Sequence, residues 1–118
     1  MESIKVCEKV MDLLDDKKAS DIISIDVRKV TTLTDYFIVC TGASDRLRKA
    51  LADEIKDKMV EAGIEVLSTE GYRYADWILL DLGFVVVHIF EKETRGRYSL
   101  ERLWSDGVLT ELRKGEKK

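Results

Sequence analysis

The sequence predicts a single α/β domain, of the α+β kind, in which helices pack on a mixed sheet of five strands. Apolar residues recur at helical spacing in two long segments and one short one. Between these segments lie five short runs rich in β-branched and aromatic residues, bounded by Gly, Asp, Ser and Thr. The 118 residues, 45% apolar and 36% charged, suffice for one core under a heavily charged surface and do not fit a disordered chain. The domain is expected over residues 1–112, and Arg113-Lys114-Gly115-Glu116-Lys117-Lys118 reads as a solvated, charged tail.

Ile4, Cys7, Val10, Met11 and Leu14 share one face of a first helix. It ends near Lys17 and Lys18, whose charges suit a helix C-terminus. In Ile22–Val27, Ile23, Ile25 and Val27 alternate with Ser24 and Asp26, which makes a strand. Thr31–Asp35 is a loop, and Tyr36–Thr41 is a second strand. Ser44 is a good N-cap for a long helix, with Asp45 in its first turn and Leu47, Ala50, Leu51, Ile55 and Met59 as its apolar stripe. Gly63 is the expected stop. Ile64–Ser68 is a third strand, so strand, helix and strand form a βαβ unit with parallel strands and a right-handed crossover. A turn at Glu70-Gly71 leads to a fourth strand over Asp76–Asp81. Asp81-Leu82-Gly83 turns tightly into a fifth, Phe84–Phe90, giving an antiparallel hairpin. Tyr98–Trp104 carries Leu100, Leu103 and Trp104 at helical spacing, and Val108–Leu112 reads as a terminal helical turn. There is no proline, so the turns rest on Gly, Asp, Ser and Thr.

The fourth and fifth strands do not alternate cleanly: Ile78-Leu79-Leu80 and Phe84 to Val87 are consecutive apolars. Such strands are usually covered on both faces. Three helices are few for both faces of five strands, and apolar surface left over would serve a partner or a second copy.

The residues for chemistry are sparse. A net charge of −3 carries no nucleic-acid signature. Cys7 and Cys40, 33 positions apart, match neither a zinc pattern nor a redox pair and read as buried reduced thiols. Met1–Lys5 begins no signal peptide, and no apolar run approaches the ~18 residues of a membrane span, so a soluble cytoplasmic protein without membrane contact is expected. His88 is the only histidine, and a lone histidine in an apolar strand is more often packed than catalytic. Gly42-Ala43-Ser44 lacks the second glycine of a nucleophile elbow and the further glycines of a phosphate loop. Nucleotidyltransferases gather carboxylates around metal, commonly through Asp-x-Asp on a strand, and no such pair occurs. Asp76 and Asp81, five apart, point to opposite faces of an extended strand, and Asp26 and Asp35 lie at the ends of a hairpin. Arg46, Arg48 and Lys49, beside Asp45 and Asp53, read as a mixed solvated face. Arg95-Gly96-Arg97-Tyr98 either touches nucleic-acid phosphate or connects the last strand to the last helix. No catalytic residue, metal, cofactor or small-molecule substrate is expected.

Several segments together resemble one family. They are Asp21-Ile22, Asp26-Val27, Thr34-Asp35-Tyr36-Phe37-Ile38-Val39 and Thr41-Gly42-x-Ser44 in the first half. In the second half they are Glu70-Gly71, Trp77-Ile78-Leu79-Leu80-Asp81, Val86-Val87-His88-Ile89-Phe90 and Arg95-x-x-Tyr98-x-Leu100-Glu101-x-Leu103-Trp104. Their order and spacing, over about residues 4 to 106, resemble the ribosomal silencing factor (Iojap-like) family. The resemblance implies a nucleotidyltransferase-like fold without catalytic carboxylates, and a binding protein, not an enzyme. It implies docking on large-subunit ribosomal protein number fourteen, on the face that meets the small subunit. Subunit joining would then be blocked and translation repressed when nutrients are scarce. It also implies that homodimers can form. Ser105-Asp106-Gly107-Val108 and the tail depart from the family's ending.

On that footing Glu70, Trp77, Leu79, Asp81, His88, Arg95 and Tyr98 are the candidate partner-binding residues, with an rRNA contact at the rim near Arg95. Trp77 is either the aromatic anchor or ordinary core. Glu70 and Asp81 suit basic groups of the partner. His88 either bonds within the sheet or belongs to the docking surface, and Trp104 joins the core. Two rival readings stay open: a degenerate nucleotidyltransferase-like nucleotide binder using Gly42 and Ser44, and a self-associating module.

Overall fold

A computed structural model describes residues 2–103 and 108–112. Helix α1, Ser3–Asp16, buries Val6, Cys7, Val10, Met11 and Leu14 and leaves Ile4 exposed. Strand β1, Ser20–Asp26, begins two residues before the expected Ile22, and Val27 beyond its end stays buried. β2 spans Tyr36–Thr41 as expected. Helix α2, Asp45–Glu61, starts where the Ser44 hydroxyl accepts the Leu47 N–H at 3.0 Å and stops before Gly63, whose φ of 75° suits glycine. Its buried face is Arg48, Leu51, Ala52, Ile55 and Met59, whereas Ala50 is exposed.

The third strand is displaced. Ile64 and Val66 pack half-buried against the core, but β3 is only Ser68–Glu70. Its partner β4, Trp77–Asp81, is five residues long, so the ladder opens at Ser68↔Asp81 and residues 64–66 have no strand to pair with. β4 and β5, Val85–Phe90, form the expected antiparallel hairpin. Asp81 closes its turn by accepting the Gly83 N–H at 2.8 Å, and the turn leaves Phe84 outside the strand.

The sheet order is β3-β4-β5-β2-β1-β6. β5 and β2 pair in parallel at the centre, and every other neighbouring pair is antiparallel. It follows that β3 runs parallel to β2, as the βαβ reading requires, but with β4 and β5 between them.

Two corrections concern the C-terminal third. Lys92–Tyr98 forms a helix, α3, where a connection or contact segment was expected. Glu91 caps it by accepting the Glu93 and Thr94 N–H groups at 3.0 and 3.2 Å. Ser99, at φ 49°, separates α3 from the short helix α4, Leu100–Leu103, so the expected helix over Tyr98–Trp104 is broken at its start. Val108–Leu112 is not a helical turn. It is a sixth strand, β6, added antiparallel to β1 from Ile22↔Leu112 to Asp26↔Val108. Five residues are too few to display a helical period, and β1 offered an unpaired edge to a segment with β-branched residues. Trp104 and the tail over 113–118 lie outside the described residues.

One sheet face lies under α1 and α2, where Tyr36, Ile38, Cys40, Ile78, Leu80, Val85, Val87 and Ile89 form the main core. Cys7 and Cys40 are both free and buried there. Burial pushes their thiols up to about 11 and about 12, which keeps them protonated and unreactive. The opposite face carries a smaller cluster, Ile23, Ile25, Val27, Val39 and Phe90, with Leu100 from α4. Among the described residues no helix is long and apolar enough to cross a membrane.

Candidate functional site

Side chains on a strand alternate between faces, so placing Ile78 and Leu80 under the helices sends Trp77, Leu79 and Asp81 to the opposite face. The ladder fixes their neighbours: Trp77 lies opposite Phe90, Leu79 opposite His88, and Asp81 opposite Val86. Glu70 on β3 lies opposite Leu79. Helix α3 brings Tyr98 over the same area. The Trp77 ring lies 4.8 Å from Phe90, stacked, and 4.8 Å from Tyr98. Phe37 meets His88 edge-on at 5.3 Å. Five of the candidates, Glu70, Trp77, Leu79, Asp81 and His88, therefore share one sheet face, and Tyr98 joins them from α3.

Trp77 is both packed and presented. Its ring rests on Phe90, yet it is only half-buried, and Tyr98 beside it is 52% exposed. Its indole N–H donates to His88 Nδ1 at 3.1 Å. Nδ1 must therefore be unprotonated, which places the ring proton on Nε2. His88 is 5% exposed, and that burial pushes it down from 6.5 to about 4, so it is neutral near pH 7. Among the described residues its Nε2 has no hydrogen-bond partner. His88 is thus a neutral acceptor that orients Trp77.

Asp81 is half-buried, with one oxygen committed to the Gly83 N–H. Glu70 is exposed. Arg95 reaches the ends of two strands. Its Nη1 donates to the Asp21 carbonyl at 2.7 Å and to Thr41 Oγ1 at 2.9 Å, tying α3 to the ends of β1 and β2. In Arg95–Tyr98 the more exposed arginine is Arg97. Phe37 of β2 and Phe90 of β5 form the floor under the cluster. The signal for Phe90 was available: a tight turn at Asp81–Gly83 sets the register that puts Phe90 opposite Trp77.

The glycine-serine turn has a structural explanation. A Cβ on Gly42 would meet Arg48 Cγ at 2.5 Å. Arg48, expected on a solvated face, is 4% exposed. It donates to the Gly42 carbonyl at 2.7 Å, to the Ala75 carbonyl and to Asp45. Gly42 makes room for that side chain, and Ser44 caps α2. Asp26 is engaged by Arg28 at 2.6 and 2.9 Å, which holds its carboxyl below the usual range. Among the described residues no three His, Cys, Asp or Glu side chains come together as a metal site.

The family model described as "Ribosomal silencing factor during starvation" matches residues 1–118. A protein of Bacillus subtilis named ribosomal silencing factor RsfS is 48% identical over 98 residues, covering 83% of each chain. One of the same name from Halalkalibacterium halodurans is 38% identical over 112 residues, covering 95% of this chain and 96% of the relative. The crystal structure of a Chromobacterium violaceum protein superposes with a TM-score of 0.87 at 35% identity, covering 99% of this chain and 98% of that one. The chain belongs to the ribosomal silencing factor family.

Proposed function

We propose that the Trp77 face docks on large-subunit ribosomal protein number fourteen, and that the bound chain sterically keeps the small subunit from joining, so that translation falls. The observation that carries the reading is the half-open Trp77–Tyr98 pair, seated on Phe90 and oriented by His88. Tryptophan and tyrosine in such settings dominate interface energetics, and a pre-oriented indole loses little freedom on binding. Glu70, opposite Leu79, and the second carboxylate oxygen of Asp81 lie on the same sheet face and suit basic groups on the partner. The action requires no bond chemistry, only occupied volume. An rRNA contact at the rim falls to Arg97, since Arg95 holds α3 in place.

Self-association falls to a second apolar surface. Val6, Ile64, Leu67, Leu82 and Phe84 line an open groove of about 410 Å³ beside α1, and Phe84 is 69% exposed. A second copy covering that groove would leave the Trp77 face free. Nucleotide binding at Gly42 and Ser44 has no observation in its favour, because Arg48 fills the space over Gly42.

Subunit-joining assays test the proposal. Light scattering of mixed large and small subunits should rise less as this chain is added, reaching full inhibition near one chain per large subunit. Unimpeded joining with the chain bound would remove the steric mechanism.

A further inference from the structure

We propose that the turn Gly71–Asp76, together with the first turns of α2, is an RNA-binding surface that stacks an unpaired base on Tyr74 and meets the adjoining phosphates with Arg46, Lys49 and Arg73. Tyr74 is 75% exposed, and the Arg73 guanidinium lies 5.6 Å from its centroid. Lys49 lies 5.6 Å over the ring of Tyr72, whose hydroxyl donates to Asp53 at 3.0 Å. Tyr72 is therefore anchored to α2, and Tyr74 is the ring left presented.

The turn is held unusually firmly for an exposed loop. Gly71 adopts φ 75°, and a Cβ there would sit 2.0 Å from the Trp77 carbonyl oxygen. Ala75 is buried at φ 62° and donates to the Gly71 carbonyl at 2.9 Å. The buried Arg48 guanidinium then binds the Ala75 carbonyl from beneath. Burying a guanidinium is costly, and what it fixes here is a loop that carries exposed aromatics. A fixed aromatic is what base stacking needs, because the ring is ordered before the base arrives.

The charge pattern points the same way. Among the described residues Arg46, Lys49 and Arg73 form no salt bridge, while the neighbouring Asp45 and Asp53 are engaged by Arg48 and Tyr72. Three cations without a salt bridge among the described residues, two of them set over the tyrosine rings of the turn, match phosphate and base.

The test is fluorescence anisotropy with a 5′-labelled, 12-nucleotide single-stranded RNA and the whole chain. Binding should weaken with salt, with a log–log slope of about −2 for three phosphates at ~0.7 each. Tyr74→Ala should lower affinity about fivefold or more with an unchanged melting temperature, and Arg73→Gln should flatten the salt slope by about 0.7. The proposal is overturned by no binding at about 0.1 mM protein, the weak end of non-specific affinity. It is equally overturned by Tyr74→Ala binding as the wild type does. A loss on Tyr74→Ala seen only toward an RNA-free ribosomal protein would make the turn a protein contact and also refute it. The probe is naked RNA, so none of these outcomes depends on whether the Trp77 face docks.

Discussion

Replacing His88 by Gln should remove one proton from the acid unfolding of this protein. In the folded chain His88 accepts the Trp77 N–H on Nδ1, and burial holds it down from 6.5 to about 4. Between those values the unfolded chain carries a proton on His88 that the folded chain lacks, so stability falls as pH falls. The contribution is complete above pH 6.5 and is lost as pH drops through that window to about 4. At ~1.4 kcal/mol per pH unit the whole loss is about 3 kcal/mol, a large share of a small domain's stability. Protonation also turns Nδ1 into a donor facing the indole donor, so the Trp77 orientation goes with it. The groups on Asp26 and Glu91 are held below the usual carboxylate range by Arg28 and by the α3 N-terminal N–H groups, so their losses fall at lower pH. The assay is urea unfolding at steps between pH 7.5 and 4.5 for the wild type and His88→Gln. Near pH 5 the wild-type slope should exceed that of the variant by up to ~1.4 kcal/mol per pH unit. Equal slopes across the window would refute a neutral, buried His88.

Three further outcomes follow from the packing. Gly42→Ala should destabilise the fold by about 1–3 kcal/mol in urea unfolding, because its Cβ collides with Arg48 Cγ. Cys7 and Cys40, buried and raised to about 11 and about 12, should react with a thiol reagent only after denaturant is added; stoichiometric labelling of the native chain would contradict their burial. Phe84→Ser should leave stability within about 0.5 kcal/mol, as at other exposed positions, and should shift any dimer toward monomer on a sizing column. A dimer that persists unchanged would place the second copy elsewhere.

How much of this was legible in the sequence depends on which force set each element. β2 and the N-terminus of α2 came through because local signals suffice there: an unbroken β-branched and aromatic run, and a serine cap. The hairpin came through because Asp81-Leu82-Gly83 is a turn in its own right. β3 and β6 did not, because strand pairing is set by partner length and by open edges that lie far away in sequence. Helix α3 was hidden because a glycine, two arginines and a tyrosine in seven residues carry no apolar stripe, and glutamate is not among the favoured N-cap residues. The site was partly legible for the same reason as the hairpin. Period two from Trp77 through Leu79 to Asp81 names one face, and the turn register adds His88 and Phe90. Arg48 escaped because a cation beside carboxylates at a helix start looks solvated until the 71–75 turn folds over it. Arg95 likewise looked like a contact residue, and only the bulge at Asp21 and the Thr41 hydroxyl show that it holds α3 in place.

The proposed docking surface for the large ribosomal subunit is formed by Trp77 and Tyr98. The most direct measurement is co-sedimentation of the chain with purified large subunits, for the wild type and for Trp77→Ala and Tyr98→Ala variants whose unfolding curves confirm that they are folded. The wild type should travel with the large subunit, and each variant should lose at least ~2 kcal/mol of binding, roughly thirtyfold, as anchor residues do. Folded variants that sediment as the wild type does would contradict this docking surface.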